Sequence, residues 1–149
     1  MSELMSKKLK DSYENGFDNT KGSKEIFGTW TTYEEDINAG QWLAPVKVAA
    51  YVQHNFNPSV SIGDIACGTG LVAKLLKPGF YTNIDGYDIT VEFLEKAKEH
   101  YNNTAYNDIC AEALPKQYEV VTASGVFAPG HLSALPSKNI ADSLLPGGT

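Results

Sequence analysis

The sequence predicts an α/β fold with a mostly parallel sheet and helices on both faces. Short apolar segments alternate along the chain with segments whose apolar residues recur at helical spacing. Such an alternation needs crossover connections, which are right-handed and place helices against a parallel sheet. The chain has 149 residues, of which 42% are hydrophobic and 20% charged, and this is enough for one domain with a packed core.

The first part of the chain is predicted to contain an arm, an aromatic segment and one helix. Residues 1–25 are polar, so we expect a mobile N-terminal arm followed by a domain over residues 26–149. Aromatic residues then occur at Phe27, Trp30 and Tyr33. Residues 42–56 are predicted to form a helix, because apolar residues recur on one side and Pro45 suits a first turn.

The rest of the chain supplies the alternating strands and helices. Strands are predicted over residues 60–65, 81–88, 104–106 and 118–125, and helices over residues 70–77, 90–100 and 137–145. In open parallel sheets, ligands bind at the carboxyl ends of the strands, where the strand order reverses. Four candidate features fall at this edge: a glycine-containing turn, Asp88, Asp108 and Ser124.

The glycine-containing turn lies in the segment SIGDIACGTGLVAKLL, residues 61–76. Glycine allows a backbone to approach a ligand closely, and Gly68-x-Gly70-x-x-Ala73 fits the dinucleotide fingerprint. Two observations count against a dinucleotide. Asp64 would bring negative charge near a pyrophosphate, and about sixty residues precede this strand, whereas dinucleotide folds usually open with it.

A positively charged nucleoside suits these carboxylates better. A sulfonium and an α-ammonium group would be attracted to Asp64, partly through water. Asp88, eighteen residues after Gly70, ends the second strand and can accept hydrogen bonds from both ribose hydroxyls. Asp108 and Ile109 follow the third strand, where the carboxylate would meet the exocyclic amine of an adenine and the aliphatic group its ring face.

Three segments together resemble the class I S-adenosylmethionine-dependent methyltransferases, which have a Rossmann-like fold: SIGDIACGTGLVAKLL, GYDIT and YEVVTASGVF. The resemblance covers about residues 26–149. The segment IFGTWTTYEEDINAGQWLAP is similar to the N-terminal helical lid of the small-molecule branch, and SGVFAPGHL is similar to the methyltransferase-like 27 (Williams–Beuren region) group. The resemblance implies a transferase that uses S-adenosyl-L-methionine to methylate a small-molecule acceptor.

The resemblance also implies a role for each candidate residue. Residues of the turn and of the end of the fourth strand would line the methionine end of the cofactor: Asp64, Ala66, Gly68, Gly70 and Ser124. Residues after the second and third strands would take the ribose and adenine: Asp88, Ile89, Asp108 and Ile109. Tyr33 would close over the site from the lid. Ala66 stands where the family more often has glycine, and we expect its extra methyl group to be tolerated.

His131 is the candidate catalytic residue. It follows the fourth strand in FAPGHL, near the expected position of a methyl acceptor, and imidazole titrates near neutral pH. A base is needed only if the acceptor must lose a proton, because positioning can carry much of a displacement reaction. Two alternatives stay open: a cofactor-binding module without activity, and a dinucleotide-binding dehydrogenase domain.

The resemblance implies that part of the sheet is missing. The family sheet has seven strands, and the Pro-Gly-Gly turn at residues 146–148 normally leads into the fifth. We therefore expect a C-terminally truncated domain with about the first four strands. An apolar fourth strand at the edge of the sheet would favour pairing with another copy, so we expect a homodimer or aggregation through this strand.

Charge and cysteine content limit which partners and which cellular compartment are expected. A formal net charge of −6 argues against broad binding to nucleic acids or anionic membranes, and no apolar run approaches the ~20 residues that span a bilayer. Cys67 and Cys110 form no disulfide or metal-ligand pattern. Because the N-terminus lacks an apolar secretion signal, we expect two free thiols in a reducing, cytoplasmic compartment.

Overall fold

The computed structural model describes residues 27–28, 31–39, 42–127, 131–132 and 135–149. The predicted arm over residues 1–25, and Trp30, lie outside these residues. The helices and strands within them are, in chain order, α1 (Tyr33–Ala39), α2 (Ala44–Asn55), β1 (Ile62–Ile65), α3 (Leu71–Leu76), β2 (Ile84–Asp88), α4 (Val91–Ala97), β3 (Asn103–Tyr106), β4 (Val120–Ala123) and α5 (Ser137–Asp142). A 3₁₀ turn, Lys77–Gly79, follows α3 directly.

The four strands form one parallel sheet in the order β3-β2-β1-β4. This confirms the predicted α/β fold with a parallel sheet. The central strand β1 pairs with β2 on one side and with β4 on the other, so the chain passes from one edge of the sheet to the opposite edge between β3 and β4. The strand order therefore reverses at β1, and a ligand cleft is expected beyond its carboxyl end.

Each face of the sheet has its own hydrophobic core. Successive side chains of a strand point to opposite faces, so Ile62 and Ile65 of β1 belong to different cores. The core around Ile62 includes residues of α2, α3 and α4: Val52, Leu76 and Ala97 among them. The core around Ile65 contains Tyr87, Ile109, Leu114 and Tyr118. Asp64 lies between Ile62 and Ile65 and shares the face of Ile62.

A buried polar chain crosses the second core. The hydroxyls of Tyr87 and Tyr118 are 2.5 Å apart, and the Tyr118 hydroxyl donates to Asp85 Oδ2 at 2.8 Å. Burial opposes ionisation of Asp85, but hydrogen bonds from Lys116, Tyr118 and Asn103 hold the pKa of its carboxyl below the ordinary value. The charge of Asp85 is therefore compensated inside the sheet.

The segment after α5 lies along the outer edge of β4. Tyr118 N donates to Ser143 O at 2.9 Å, and Leu145 N donates to Tyr118 O at 2.8 Å. Thr149 continues the pattern, because its carbonyl accepts from Val121 N at 2.9 Å. These bonds explain why α5 ends at Asp142 rather than at the predicted residue 145. They also show that the edge of β4, which was expected to be open, is covered as far as Val121.

No helix in the described part of the chain is long and apolar enough to cross a membrane.

Candidate functional site

The turn after β1 has an unusual backbone. Ala66, Gly68 and Gly70 all have positive φ, at 49°, 56° and 92°. This left-handed conformation suits glycine, whereas a residue with a Cβ atom pays about 1–2 kcal/mol. Gly70 N donates to Cys67 O at 3.0 Å, and Cys67 N donates to Tyr87 O at 3.0 Å. The turn is thus closed on itself and tied to β2 before it leads into α3.

The two glycines of the turn have different surroundings. A Cβ atom on Gly70 would lie 3.1 Å from the His100 ring and 3.2 Å from the Tyr101 ring, so Gly70 allows close packing. A Cβ atom on Gly68 would meet only Phe93, at 4.0 Å. The backbone at Gly68 therefore borders open space, which is what close approach of a ligand requires.

Asp88 ties the turn to the end of β2. Its side chain is 7% exposed. Its Oδ2 accepts a hydrogen bond from Gly68 N at 2.8 Å, and its Oδ1 accepts one from Thr90 N at 2.8 Å. Burial raises the pKa of Asp88, and these backbone hydrogen bonds oppose that rise. A carboxylate oxygen can accept more than one hydrogen bond, so Asp88 can still accept hydrogen bonds from a ribose. This role stays a prediction.

Asp64 lies at the base of the cleft and is 1% exposed. Thr122 Oγ1 donates to its Oδ1 at 2.7 Å, and the Tyr101 hydroxyl donates to its Oδ2 at 2.6 Å. Burial raises the pKa of Asp64 to about 6, and the two hydroxyl hydrogen bonds limit the rise. Asp64 is therefore ionised at neutral pH but close to its titration range.

A cleft of about 350 Å³, counted with its open mouth, lies over Asp64. It is lined by residues of α1, α2, β1, the turn and α3, by Trp42 before α2 and by Ser124 after β4: Tyr33, Trp42, Pro45, Asp64, Ala66, Cys67, Gly68, Thr69, Leu71, Val72 and Ser124. Five of the candidate residues predicted from the sequence thus line one cleft. They are Tyr33, Asp64, Ala66, Gly68 and Ser124.

Two hydroxyls of this cleft have no protein partner. Within the described residues, Thr69 Oγ1 and Ser124 Oγ are buried without a hydrogen bond. Asn107 Oδ1, just beyond β3, is in the same situation. Because buried polar atoms are normally paired, these atoms mark positions where a polar ligand fits. Ser124 was predicted from the sequence, whereas Thr69 and Asn107 were not, since a lone polar residue in a loop carries no distinguishing pattern.

Tyr33 of α1 lines the cleft and forms an aromatic wall with neighbouring rings. Its ring centroid lies 4.8 Å from that of Phe93 and 6.0 Å from that of Phe27. Trp42 also belongs to this wall, and its ring occupies the space beside Gly125, where an added Cβ atom would lie 2.6 Å from it. The aromatic segment is thus packed against both the first turn of α4 and the segment after β4.

His131 belongs to the same group of rings. Its centroid lies 5.4 Å from that of Phe27, so one ring separates it from Tyr33. Burial lowers the pKa of His131, partly offset by a hydrogen bond with the Gly125 backbone. Its imidazole is therefore neutral at pH 7 and suited to accept a proton. His131 is near the cleft but outside the set of residues that line it.

The residues after β2 and β3 are arranged less openly than expected. Ile89 is half-buried beside Asp88. Asp108 is also half-buried, and its Oδ1 accepts a hydrogen bond from Cys110 N at 3.0 Å, as in a local turn. The Ile109 side chain is 5% exposed and packs in the second core. The predicted contact of Ile109 with a ligand ring would require this side chain to move.

A family model described as a methyltransferase domain matches residues 63–149, which is more than half of the chain. No curated protein matches the chain significantly.

Solved structures match the fold over most of the chain. A possible histamine N-methyltransferase from Thermotoga maritima is 18% identical, with a TM-score of 0.64, and the match covers 85% of this chain and 58% of that one. An S-adenosylmethionine-bound amino pentose methyltransferase from Micromonospora echinaspora is 19% identical, with a TM-score of 0.61. That match covers 80% of this chain and 54% of the other. A methyltransferase from Thiobacillus denitrificans, in complex with S-adenosyl-L-homocysteine, is 17% identical, with a TM-score of 0.52. The match covers 68% of this chain and 45% of that one.

These matches concern the fold. The match spans between 45% and 58% of the length of these three solved structures.

Proposed function

The chain belongs to the methyltransferase-domain family, and we propose that it binds S-adenosyl-L-methionine and transfers the methyl group to a small-molecule acceptor. The observation that carries this proposal is the cleft itself. An ionised carboxylate, Asp64, lies at its base. The backbone of the turn beside it borders open space at Gly68. The buried hydroxyls of Thr69 and Ser124 have no hydrogen-bond partner within the described residues.

These features fit the methionine end of the cofactor. The α-ammonium group and the sulfonium are positive, and a buried carboxylate attracts them more strongly than it would in water. Thr69 and Ser124 offer hydroxyls that can donate to the ligand carboxylate or accept from its ammonium group. A dinucleotide would bring its pyrophosphate towards Asp64, and nothing in the described cleft supplies a compensating cation.

The nucleoside end is assigned to the residues that follow β2 and β3. We propose that Asp88 accepts hydrogen bonds from the ribose hydroxyls and that Ile89 covers one adenine face. Asp108 and Ile109 would hold the adenine edge, Ile109 only after its side chain moves out of the second core. The half-buried side chains of Ile89 and Asp108 support this assignment. Asn107 is added to it, because its Oδ1 is buried and unpaired at the same edge.

When bound, the cofactor supplies a methyl group on a positively charged sulfur that departs as a neutral thioether. The chain needs to orient the acceptor and exclude water. Tyr33 and Phe93 supply an apolar wall for this purpose. For an acceptor that must lose a proton, we propose His131 as the base, because its half-buried imidazole, whose pKa is lowered, is neutral at pH 7.

The proposed acceptor is a small molecule. This is supported by the aromatic wall beside the cleft, by the resemblance of SGVFAPGHL to the methyltransferase-like 27 group, and by solved structures described as an amino pentose methyltransferase and a possible histamine N-methyltransferase. The net charge of −6 disfavours a nucleic-acid acceptor. Cys67 and Cys110 are not joined in a disulfide, which is consistent with the proposed cytoplasmic compartment.

We also propose that copies of the chain pair through β4. The strand is at the edge of the sheet, but its outer side is hydrogen-bonded to the segment that ends at Thr149. Pairing between copies therefore requires that this segment be displaced or that it take part in the interface.

Isothermal titration with S-adenosylhomocysteine and, separately, with NAD tests the proposed cofactor. We expect binding of S-adenosylhomocysteine and no heat with NAD. Binding of NAD without a response to S-adenosylhomocysteine would contradict the proposal and favour a dehydrogenase domain. Release of S-adenosylhomocysteine from S-adenosylmethionine with a panel of amine and hydroxyl acceptors then separates an enzyme from a binding module.

A further inference from the structure

The carboxylate of Asp64 is held by two hydroxyls that come from distant parts of the chain. Tyr101 follows α4, and Thr122 lies in β4 directly opposite Asp64 in the strand register. Their hydroxyls reach different oxygens of the carboxylate, at 2.6 Å and 2.7 Å. With one donor on each oxygen, rotation of the carboxylate about its bond to Cβ would break both hydrogen bonds.

We propose that Tyr101 and Thr122 are positioning residues that fix the Asp64 carboxylate for the ammonium group of the ligand, an inference that rests on the proposed function. Neither residue is among those that line the cleft. Asp64 itself lines the cleft, so the two hydroxyls reach its carboxylate from residues outside the cleft lining.

The packing around Tyr101 indicates that the fold makes room for this contact. Gly86 lies opposite Asp64 on β2, and a Cβ atom on Gly86 would lie 2.9 Å from the Tyr101 ring. A Cβ atom on Gly70 would lie 3.2 Å from the same ring. Two glycines on different segments thus leave the space through which a buried tyrosine, 8% exposed, reaches the carboxylate.

The charge of Asp64 depends on these donors. The titratable groups that face it are Asp88 from the end of β2, Cys67 from the turn and Tyr101. Burial raises the pKa values of Cys67 and Tyr101, so both stay protonated and neutral near pH 7. Burial and the charge of Asp88 raise the pKa of Asp64, and the Tyr101 and Thr122 hydrogen bonds oppose the rise. Removal of either hydroxyl therefore moves the loss of charge on Asp64 to higher pH.

The test compares the wild-type chain with Tyr101→Phe, Thr122→Val and Thr122→Ser. Binding of S-adenosylhomocysteine is titrated between pH 5 and pH 8. In the wild type, we expect the affinity to fall as the pH drops through about 6. Tyr101→Phe and Thr122→Val are expected to bind about tenfold more weakly at pH 6.5, the cost of one hydrogen bond to a charged group. At pH 8 we expect the deficit to narrow but not to close, because the carboxylate is then charged but still lacks one of the hydroxyls that fix it. Thr122→Ser keeps a hydroxyl and is expected to keep the wild-type profile.

Tyr81→Phe is the matched control. Tyr81 is a buried tyrosine, 5% exposed, whose hydroxyl donates to Phe56 O at 2.6 Å, away from the cleft. This variant loses a buried tyrosine hydroxyl with its hydrogen bond, so it reproduces the effect on stability without touching Asp64. We expect its pH profile of binding to match that of the wild type.

A second measurement needs no ligand. The ¹³C signal of the Asp64 carboxyl reports its titration in the free chain, and we expect its midpoint to rise in Tyr101→Phe and Thr122→Val but not in Tyr81→Phe. Unchanged midpoints and an unchanged binding profile would overturn the positioning role alone. A wild-type chain that binds no S-adenosylhomocysteine at any pH, with shifted midpoints, would overturn the proposed function and leave the hydroxyl contacts as a purely structural device.

Discussion

At the scale of single residues, the buried carboxylate of Asp64 lowers the stability of the folded chain in the charged form that the proposed ligand requires. Its pKa is raised from 3.8 to about 6 in the folded chain, so the folded state holds the proton more tightly than the unfolded state. The stabilisation from this proton is full below about pH 4 and is lost as the pH rises through about 6. At neutral pH, the folded chain therefore contains an ionised buried carboxylate at a cost in stability.

Replacement of this carboxylate by its neutral isostere tests the cost. We expect Asp64→Asn to raise the free energy of unfolding at pH 8 by roughly 1–3 kcal/mol, since each pKa unit corresponds to about 1.4 kcal/mol, and to lose S-adenosylhomocysteine binding. Urea denaturation at pH 4 and pH 8 measures the effect, and the gain should disappear at pH 4. A variant that is less stable than the wild type at pH 8 would contradict this account.

Ala66 adopts a left-handed backbone conformation that favours glycine. The sequence predicts that its methyl group is tolerated, and the turn accommodates it only at a φ of 49°. We expect Ala66→Gly to stabilise the chain by about 1 kcal/mol, because glycine adopts this conformation without strain. Ala73→Gly, in α3, is the control and should destabilise by about 1 kcal/mol. Thermal unfolding of the two variants should thus shift in opposite directions.

At the scale of elements, Asp88 links the turn after β1 to the start of α4. Removal of its carboxylate leaves the amides of Gly68 and Thr90 without their acceptor. We expect Asp88→Ala to weaken S-adenosylhomocysteine binding by about 1–3 kcal/mol, the usual cost of charge-assisted hydrogen bonds. It should also speed hydrogen exchange at the Gly68 and Thr90 amides. Unchanged affinity with fast exchange would mean that Asp88 supports the turn and does not reach the ribose.

The helices and strands could be predicted well from the sequence, because each has a characteristic spacing of apolar residues and most end close to a proline, glycine or asparagine. The strand that carries Asp64 and the helix after the glycine turn are examples. The ends were predicted less well where a distant segment decides them. The helix over Ser137–Asp142 is shorter than expected because Ser143 and Leu145 are hydrogen-bonded to Tyr118, and no local pattern announces that pairing.

The candidate site residues were predicted either from a local motif or, as with Tyr33 and Ser124, from the family resemblance. Asp64 and Gly68 stand together in one motif, so their proximity follows from the sequence. Tyr101 and Thr122 contact Asp64 across 37 and 58 residues of chain. Thr122 is brought there by the register of β4 against β1. Neither contact can be inferred from one sequence, because register and ring packing depend on the whole sheet.

At the scale of the whole molecule, the coverage of β4 bears on the proposed pairing between copies of the chain. Val121 N donates to Thr149 O on the outer side of the strand. Proline is accepted at sheet edges where its missing N–H faces outward. If copies pair through this edge, we expect light scattering to show concentration-dependent dimers of the wild type and monomers of Val121→Pro. A wild type that stays monomeric at high concentration would contradict pairing through β4.

The hydrogen bonds from Gly68 and Thr90 to Asp88 also bear on the speed of recognition. The turn is assembled from contacts within the chain, so a ligand need not order a loose loop on arrival. Association should then proceed at a similar rate for related nucleosides. Selectivity among them would be expressed in how long each stays bound, which makes the dissociation rate the quantity by which competing ligands of this cleft should be ranked.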